Sequence, residues 1–310
     1  MDAANLAAEL TGRQHIVVTG GTGFIGSRLV AALITGGHEV TVLTRSRAAA
    51  AALPAPVRVI TQLDQIASDT PIDAVVNLAG EPIASGLWTQ AKRARIVDSR
   101  VEMTRNCCDL IARLETKPKV FISGSAIGWY GLRADEALDE RSAGTDCFSH
   151  EICAAWEAAA KPAPIRTVLL RIGLVLDNSG GMLARMLTPF EFGLGGRFGN
   201  GRHWMSWIHR DDLVRLIVHC IADPALSGPV NGTAPQPVTN REFTAALGRA
   251  LRRPAVLPVP AWPLKLVLGD FARELLLGGQ RVLPARAEAS GLGFTYPDID
   301  TALGAIVGRT

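Results

Sequence analysis

The sequence predicts an α/β chain: a doubly wound parallel sheet with a smaller, mostly helical substrate region toward the C-terminal end. Three observations carry that expectation. Apolar, strand-like runs alternate with helical patterns as far as residue 175, the order that produces a parallel sheet covered on both faces. The first run, Ile16-Val17-Val18, stops at a glycine turn, Thr19-Gly20-Gly21-Thr22-Gly23-Phe24-Ile25-Gly26, and a helical pattern takes over from Phe24 to Ile34. Beyond residue 180 the composition shifts to short helices between glycine- and proline-rich loops.

The totals narrow the function classes. With 310 residues, 48% of them apolar and 20% charged, the chain can bury a sizeable core and leaves no polar block for disorder. Its net charge of +3 is spread along the sequence, so no nucleic-acid footprint is expected. Residues 1–14 lack a basic start followed by an apolar core and do not read as a secretory signal. No apolar run reaches bilayer length, since Arg171 interrupts the 167–176 stretch, and no membrane partner is expected. The five cysteines include no CxxC pair, which fits a reduced, cytoplasmic chain with neither disulfide frame nor metal site.

Taken in order, residues 15–19 read as the first strand and 24–35 as its helix, stopped by Gly36-Gly37. In the turn, Gly20, Gly23 and Gly26 are three residues apart, which suits a tight bend, close approach of a pyrophosphate and close helix–strand packing. Amides of Thr22, Phe24 and Ile25 at the helix start complete an anion site. The second strand, 39–43, ends at Thr44-Arg45-Ser46-Arg47, where a reader of NAD would present an acid to the ribose 2′-hydroxyl. Two arginines and two hydroxyls suit a 2′-phosphate instead, so NADP(H) is the expected cofactor; the alternative is a pair of solvated loop charges.

The third strand is expected at 57–60, with Asp64 beyond it at an adenine-ring position, and the fourth at 73–78, running into the small-residue turn Asn77-Leu78-Ala79-Gly80. A helical pattern over 88–113 carries Lys92, Arg93, Arg95, Arg100 and Arg105. Arg93 and Arg105 read as a solvated face, whereas Lys92 and Arg100, with Glu81 and Trp207, are candidates for the substrate side. Strand five, 118–122, leads into the hydroxyl-rich loop Ser123-Gly124-Ser125-Ala126-Ile127-Gly128-Trp129-Tyr130-Gly131. An acidic loop (133–147), a short helix (151–160) and strand six (165–175, containing Arg171) follow. Further helices are expected at 182–192, from Asp211 or Asp212 as cap to 221, from Thr239 as cap to 251 with Glu242 at its start, and at 264–277. The cofactor unit is expected at 14–180 with 203–233, and the substrate-side region at 181–202 with 234–310.

Several stretches together resemble one family. They are 19–26, Asn77 to Ile83, Ser99-Arg100, 123–131, Cys153 to Glu157, Leu170-Arg171-Ile172-Gly173, Trp207-Ile208-His209, Gly228 to Asn231, Pro237 to Asn240, and Gly278 to Val282 with Pro284. In them the chain resembles an extended short-chain dehydrogenase/reductase of the epimerase-like kind, related to sugar-nucleotide epimerases and cell-division-inhibitor homologues. The resemblance spans residues 14 to about 308. It implies a Rossmann domain with a smaller C-terminal substrate region, NADP(H) as cofactor, and contacts from Ser123 and Arg171.

The resemblance also implies an engine that this chain lacks. The family uses Ser, Tyr and Lys, the lysine bringing the tyrosine down from about pKa 10 so that it can move a proton. Tyr130 is followed four residues on by Ala134 and Tyr296 by Asp300, so no YxxxK pair exists. With Glu157 as anchor, Ser149 and Cys153 stand where the pair would be. Ser125 matches the family serine, and Tyr130 matches the tyrosine of a Tyr-Gly element; these two are the catalytic candidates, Tyr130 either carrying the proton or packing beside the cofactor. His209 reads as part of an element that closes the sheet and caps a helix, and Trp204 and Trp207, with Arg197 and Arg202 nearby, either line the cleft or pack a loop. Two functions remain open: hydride transfer on a small polar substrate, in a possible homodimer, or an NADPH-sensing regulator that has lost the engine.

Overall fold

The computed structural model describes residues 3–308, without the side chains of Ala4 and Arg47. Strands β1 (His15–Thr19), β2 (Glu39–Leu43), β3 (Arg58–Ile60), β4 (Ala74–Asn77), β5 (Val120–Ala126), β6 (Thr167–Ile172) and β7 (Gly228–Gly232) form one sheet. Their order is β7-β6-β5-β4-β1-β2-β3, and every pairing is parallel. The order reverses between β1 and β4, the switch point outside whose carboxyl ends ligands collect in such sheets. The expected doubly wound α/β fold is therefore present.

Both faces of the sheet are covered, which is why its strands read as nearly continuous apolar runs. Ile16 and Val18 of β1 join a core with Leu29, Val30 and Leu33 of α1 (Phe24–Thr35). Val17, pointing the other way, joins a core with Cys107, Leu110 and Ile111 of α2 (Gln90–Arg113) and with Ala160 at the end of α3 (Phe148–Ala160). A further core gathers Leu183 and Phe190 of α4 (Gly181–Glu191), while α5 (Arg210–Ala222) packs on the α1 side of the sheet. Phe243 and Leu247 of α6 (Asn240–Leu251) and Leu303 and Ile306 of α7 (Ile299–Val307) complete that further core.

Local differences from the sequence expectation have physical reasons. The strand expected over 165–175 is two strands, because Gly173 breaks it: a Cβ there would stand 2.6 Å from the Ser206 carbonyl, and Leu174–Leu176 turns away to pair with Trp207–His209. The acidic loop holds a two-residue strand, Ala137–Leu138, paired with Arg281–Val282 far along the chain. The helix expected to start at 151 begins at Phe148. His209, not an aspartate, caps α5, its ring nitrogen accepting from the Asp211 amide at 3.1 Å. Asp212 instead accepts from the amides of Thr295 and Tyr296 at 3.0 and 2.8 Å. The helix expected over 264–277 is Ala261–Leu268 followed by a separate wide turn, Ala272–Leu276. Thr239 caps α6 as expected, exchanging bonds with Glu242. Among the described residues, no helix is long and apolar enough to cross a membrane, and no cluster of side chains could hold a metal ion.

Candidate functional site

The turn after β1 is built by close backbone approach. Gly20 has φ +70°, and a Cβ on it would lie 2.8 Å from the backbone of Leu78 and Ala79; one on Gly26 would lie 2.2 Å from the Gly20 carbonyl. The β4 loop is tied to this turn through Asn77, which is fully buried. Its Oδ1 accepts from the Thr19 hydroxyl at 2.6 Å and the Ala79 amide at 3.3 Å, while its Nδ2 donates to Thr104 at 2.9 Å. Gly23 opens α1 with no side-chain cap, so the first-turn amides of Phe24, Ile25 and Gly26 are left for an anion beside Thr22. Ile25 and Phe24 anchor that end to the main core. A glycine cradle with an uncapped helix start fits the pyrophosphate of a dinucleotide.

At the end of β2, Thr44 is buried and its hydroxyl bonds to the Ser46 backbone, which fixes the loop. Arg45 is exposed, and its charge is felt at Glu81. The Arg47 side chain lies outside the described residues. Beside this edge a cavity of about 400 Å³ is lined by Leu43, Leu63, Asp64 and Met103 among others.

The segment from Gly80 to Ser85 is held from α2. Lys92 is only 4% exposed, and its ammonium donates to Glu81 Oε1 at 2.6 Å and to Ser85 at 2.7 Å. The Lys92 hydrogen bond holds the Glu81 carboxyl below the usual carboxylate range. Ser99 accepts from the Glu81 amide, and Arg100 donates to the carbonyls of Glu81 and Ile96 at 3.0 and 2.9 Å while its guanidinium lies over Trp156. Lys92 and Arg100 thus shape the loop, and Glu81 is their half-exposed end.

Ser125 and Tyr130 do not meet in an open cleft. The Ser125 hydroxyl donates to Glu157 at 2.8 Å, and Arg171 donates to both oxygens of the same carboxylate at 2.8 and 3.0 Å. Arg171 also donates to the Tyr130 hydroxyl at 3.1 Å, which in turn donates to Asn231 at 2.7 Å. Tyr130 is 0% exposed, and burial pushes its phenol up to about 12 although Arg171 and Asn231 pull it down. Of the two roles open to Tyr130, this burial favours packing in the wall over carrying the proton. Arg171, expected at the cofactor, is spent on Glu157, and the Ser123 side chain is buried beneath the loop. Trp207, expected on the substrate side, is 0% exposed with its indole N–H on the Gln236 carbonyl. It belongs to the core.

At the start of α3, where the tyrosine and lysine of the family pattern would stand, the chain has Ser149 and Cys153. Cys153 packs against the Ala126 carbonyl, and burial pushes its thiol up to about 12. Ser149 is engaged by a residue that sequence reasoning missed. Glu274 accepts from the Ser149 hydroxyl at 2.6 Å, the Ser149 amide at 2.9 Å and the Phe148 amide at 3.2 Å. Its segment is clamped by Phe271 on Trp88, with ring centroids 5.6 Å apart, and by Asp270 on Arg93 at 2.7 Å. No sequence signal marks Glu274, which is 125 residues from its partner in what reads as an ordinary helix.

The comparisons with known proteins agree with this geometry. The model of the NAD dependent epimerase/dehydratase family matches residues 16–231, and that of a domain of unknown function, DUF1731, matches 259–306. The chain is 41% identical over 304 residues to the chloroplastic epimerase family protein SDR39U1 homolog of Arabidopsis thaliana, covering 94% of this chain and 86% of that one. It is 38% identical over 299 residues to the Homo sapiens epimerase family protein SDR39U1, covering 94% and 99%. The crystal structure of human SDR39U1 (isoform 2) with NADPH superposes with a TM-score of 0.87 at 35% identity, covering 96% of this chain and all of that one. With the glycine turn, the switch-point sheet and the C-terminal segment all matched, the chain belongs to the NAD dependent epimerase/dehydratase family and carries its DUF1731 segment.

Proposed function

We propose that the chain binds NADP(H) and works as an oxidoreductase or epimerase on a small polar substrate. The observation that carries this reading is the uncapped start of α1 packed against the β4 loop through Gly20, with Thr44 and Arg45 at the end of the neighbouring strand. Gly20 to Gly26 would receive the pyrophosphate, Arg45 and Thr44 the 2′-phosphate, and Leu78 to Gly80 the nicotinamide-side ribose. The NADPH in the human relative supports the choice of cofactor. Bound NADPH supplies a hydride. The proton is the protein's task, and we assign it to Glu274, positioned by Ser149 where the family pattern has tyrosine. Ser125 and Tyr130 hold the wall through Glu157 and Arg171.

The test is NADPH oxidation, or epimer formation, across a panel of carbonyl compounds and sugar nucleotides. Turnover that survives Tyr130→Phe and falls with Glu274→Gln supports the assignment; turnover that falls only with Tyr130→Phe refutes it. A second reading, an NADPH-sensing binding protein, is favoured by the buried Tyr130 and by Cys153 in the lysine's place. Partner binding that changes with NADPH, in the absence of any turnover, would favour it.

A further inference from the structure

An apolar face stands outside the site. Phe192 and Leu194 follow α4, Val256 follows α6, and Trp262, Leu266 and Val267 belong to the helix Ala261–Leu268; these six are 62% to 79% exposed. The two loops run side by side, the Leu257 amide donating to the Gly195 carbonyl at 3.2 Å and the Val259 amide to Arg197 at 2.9 Å. Spacing puts Trp262, Lys265 and Leu266 on one face of the helix, and all three are exposed. The helix has no buried residue, although seven of its eight are apolar.

Charge decides what this face fits. Residues 243–269 carry Arg249, Arg252, Arg253 and Lys265 and no acid. Arg249 is taken by Asp300 at 2.6 Å, whereas Arg252 and Arg253 form no ion pair among the described residues. With Gly248 and Val256, these arginines line an open hollow of about 400 Å³. The closing carbonyls of α6 near that hollow, on Gly248 and Arg249, already accept from the backbone amides of Arg253 and Arg252. Glu191 is the exposed acid beside Phe192, and Asp270, past the helix, is engaged by Arg93.

Exposed cations beside exposed apolar side chains call for an anionic partner that also takes up apolar surface. An anionic lipid surface satisfies both features: tryptophan and aliphatic side chains enter the headgroup boundary while arginine and lysine meet phosphate. We propose that this face docks the protein on an anionic phospholipid surface, with a headgroup phosphate in the Arg252/Arg253 hollow. The contact is peripheral and needs no spanning helix.

The test is sedimentation of the full chain with vesicles of phosphatidylglycerol and phosphatidylcholine, against phosphatidylcholine alone, at low salt. Binding to the mixed vesicles is expected to be at least about tenfold tighter than to the neutral ones. Replacing both Arg252 and Arg253 by alanine is expected to weaken it about twenty-fivefold, from about fivefold for each cation. Leu266→Glu is expected to abolish it. NADPH affinity should be unchanged in these variants, which reports on folding. Absence of binding to mixed vesicles, or binding indifferent to these substitutions, overturns the proposal. A dimer in light scattering that Leu266→Glu disrupts, with no vesicle binding, overturns it too and assigns the face to a second copy.

Discussion

Glu274 Oε2 accepts hydrogen bonds from both the hydroxyl and the amide of Ser149, at 2.6 and 2.9 Å, across 125 residues of sequence. A carboxylate at a helix start is favoured by the dipole as well as by the amides it satisfies. The DUF1731 segment thus brings a carboxylate to the start of α3, at Ser149.

Glu274→Gln should separate the two roles of this carboxylate. Loss of the charged cap is expected to cost about 1 kcal/mol of folding stability, read as a shift of the urea midpoint. NADPH affinity should be unchanged while turnover falls by at least about a hundredfold, the scale of a lost acid–base group. A variant with unaltered turnover would show that Glu274 only caps α3.

Tyr130 should resist ionisation. The chain has two tyrosines, 130 and 296, and burial raises the pKa of both, that of Tyr130 to about 12. The folded protein therefore keeps a proton that the unfolded chain loses near pH 10, so this stability is whole below about pH 10 and drains away as pH rises through 12. Ultraviolet difference spectra of a Tyr296→Phe variant, in which Tyr130 is the one tyrosine, should show little tyrosinate at about pH 10.5 until urea is added. Substantial tyrosinate in the folded protein at that pH would place Tyr130 in contact with solvent.

Glu157 and Arg171 are 4% and 2% exposed and bound to each other through two oxygens, so removing one partner strands the other. Glu157→Gln is expected to cost about 3–5 kcal/mol, and Arg171→Met in the same chain to recover part of that. Chemical denaturation of the two single variants and the double variant measures the coupling; additive losses would deny that the pair acts as a unit.

Replacing Asn77 by alanine removes the atom that joins the β1 and β4 loops. Because Asn77 is fully buried and bonded on both ends of its amide, a stability loss of about 1–3 kcal/mol is expected, together with weaker NADPH binding. Calorimetry with and without NADPH reads both; a loss confined to stability would remove Asn77 from the cofactor site.

The sheet and the glycine turn were legible because they are local: the run from Ile16 to Gly26 carries its strand, bend and helix within a dozen residues. Thr239 and Glu242 were legible for the same reason, a capping pair three residues apart. What could not be read depends on distance. Glu274 reaches Ser149, and Arg171 joins Glu157, Tyr130 and, through Tyr130, Asn231, only once β5, β6 and β7 lie side by side. The burial of Tyr130 and Trp207 was not legible because sequence marks residue type and neighbourhood, whereas burial is a property of the assembled layers. The split at Gly173 shows the same limit, since the Ser206 carbonyl and the Thr233 methyl that crowd out a side chain there come from distant segments.

The most direct measurement is a fluorescence titration of the protein with NADPH and with NADH, repeated for Arg45→Ala. Arg45 is exposed at the end of β2, and a charge-assisted contact to a 2′-phosphate is worth about 1.5–3 kcal/mol, or roughly ten- to a hundredfold in affinity. NADPH should bind at least about tenfold tighter than NADH, and Arg45→Ala should close most of that gap by weakening NADPH alone. Equal affinities for the two cofactors, or a gap that Arg45→Ala leaves intact, would contradict the reading of this edge as an NADP(H) site.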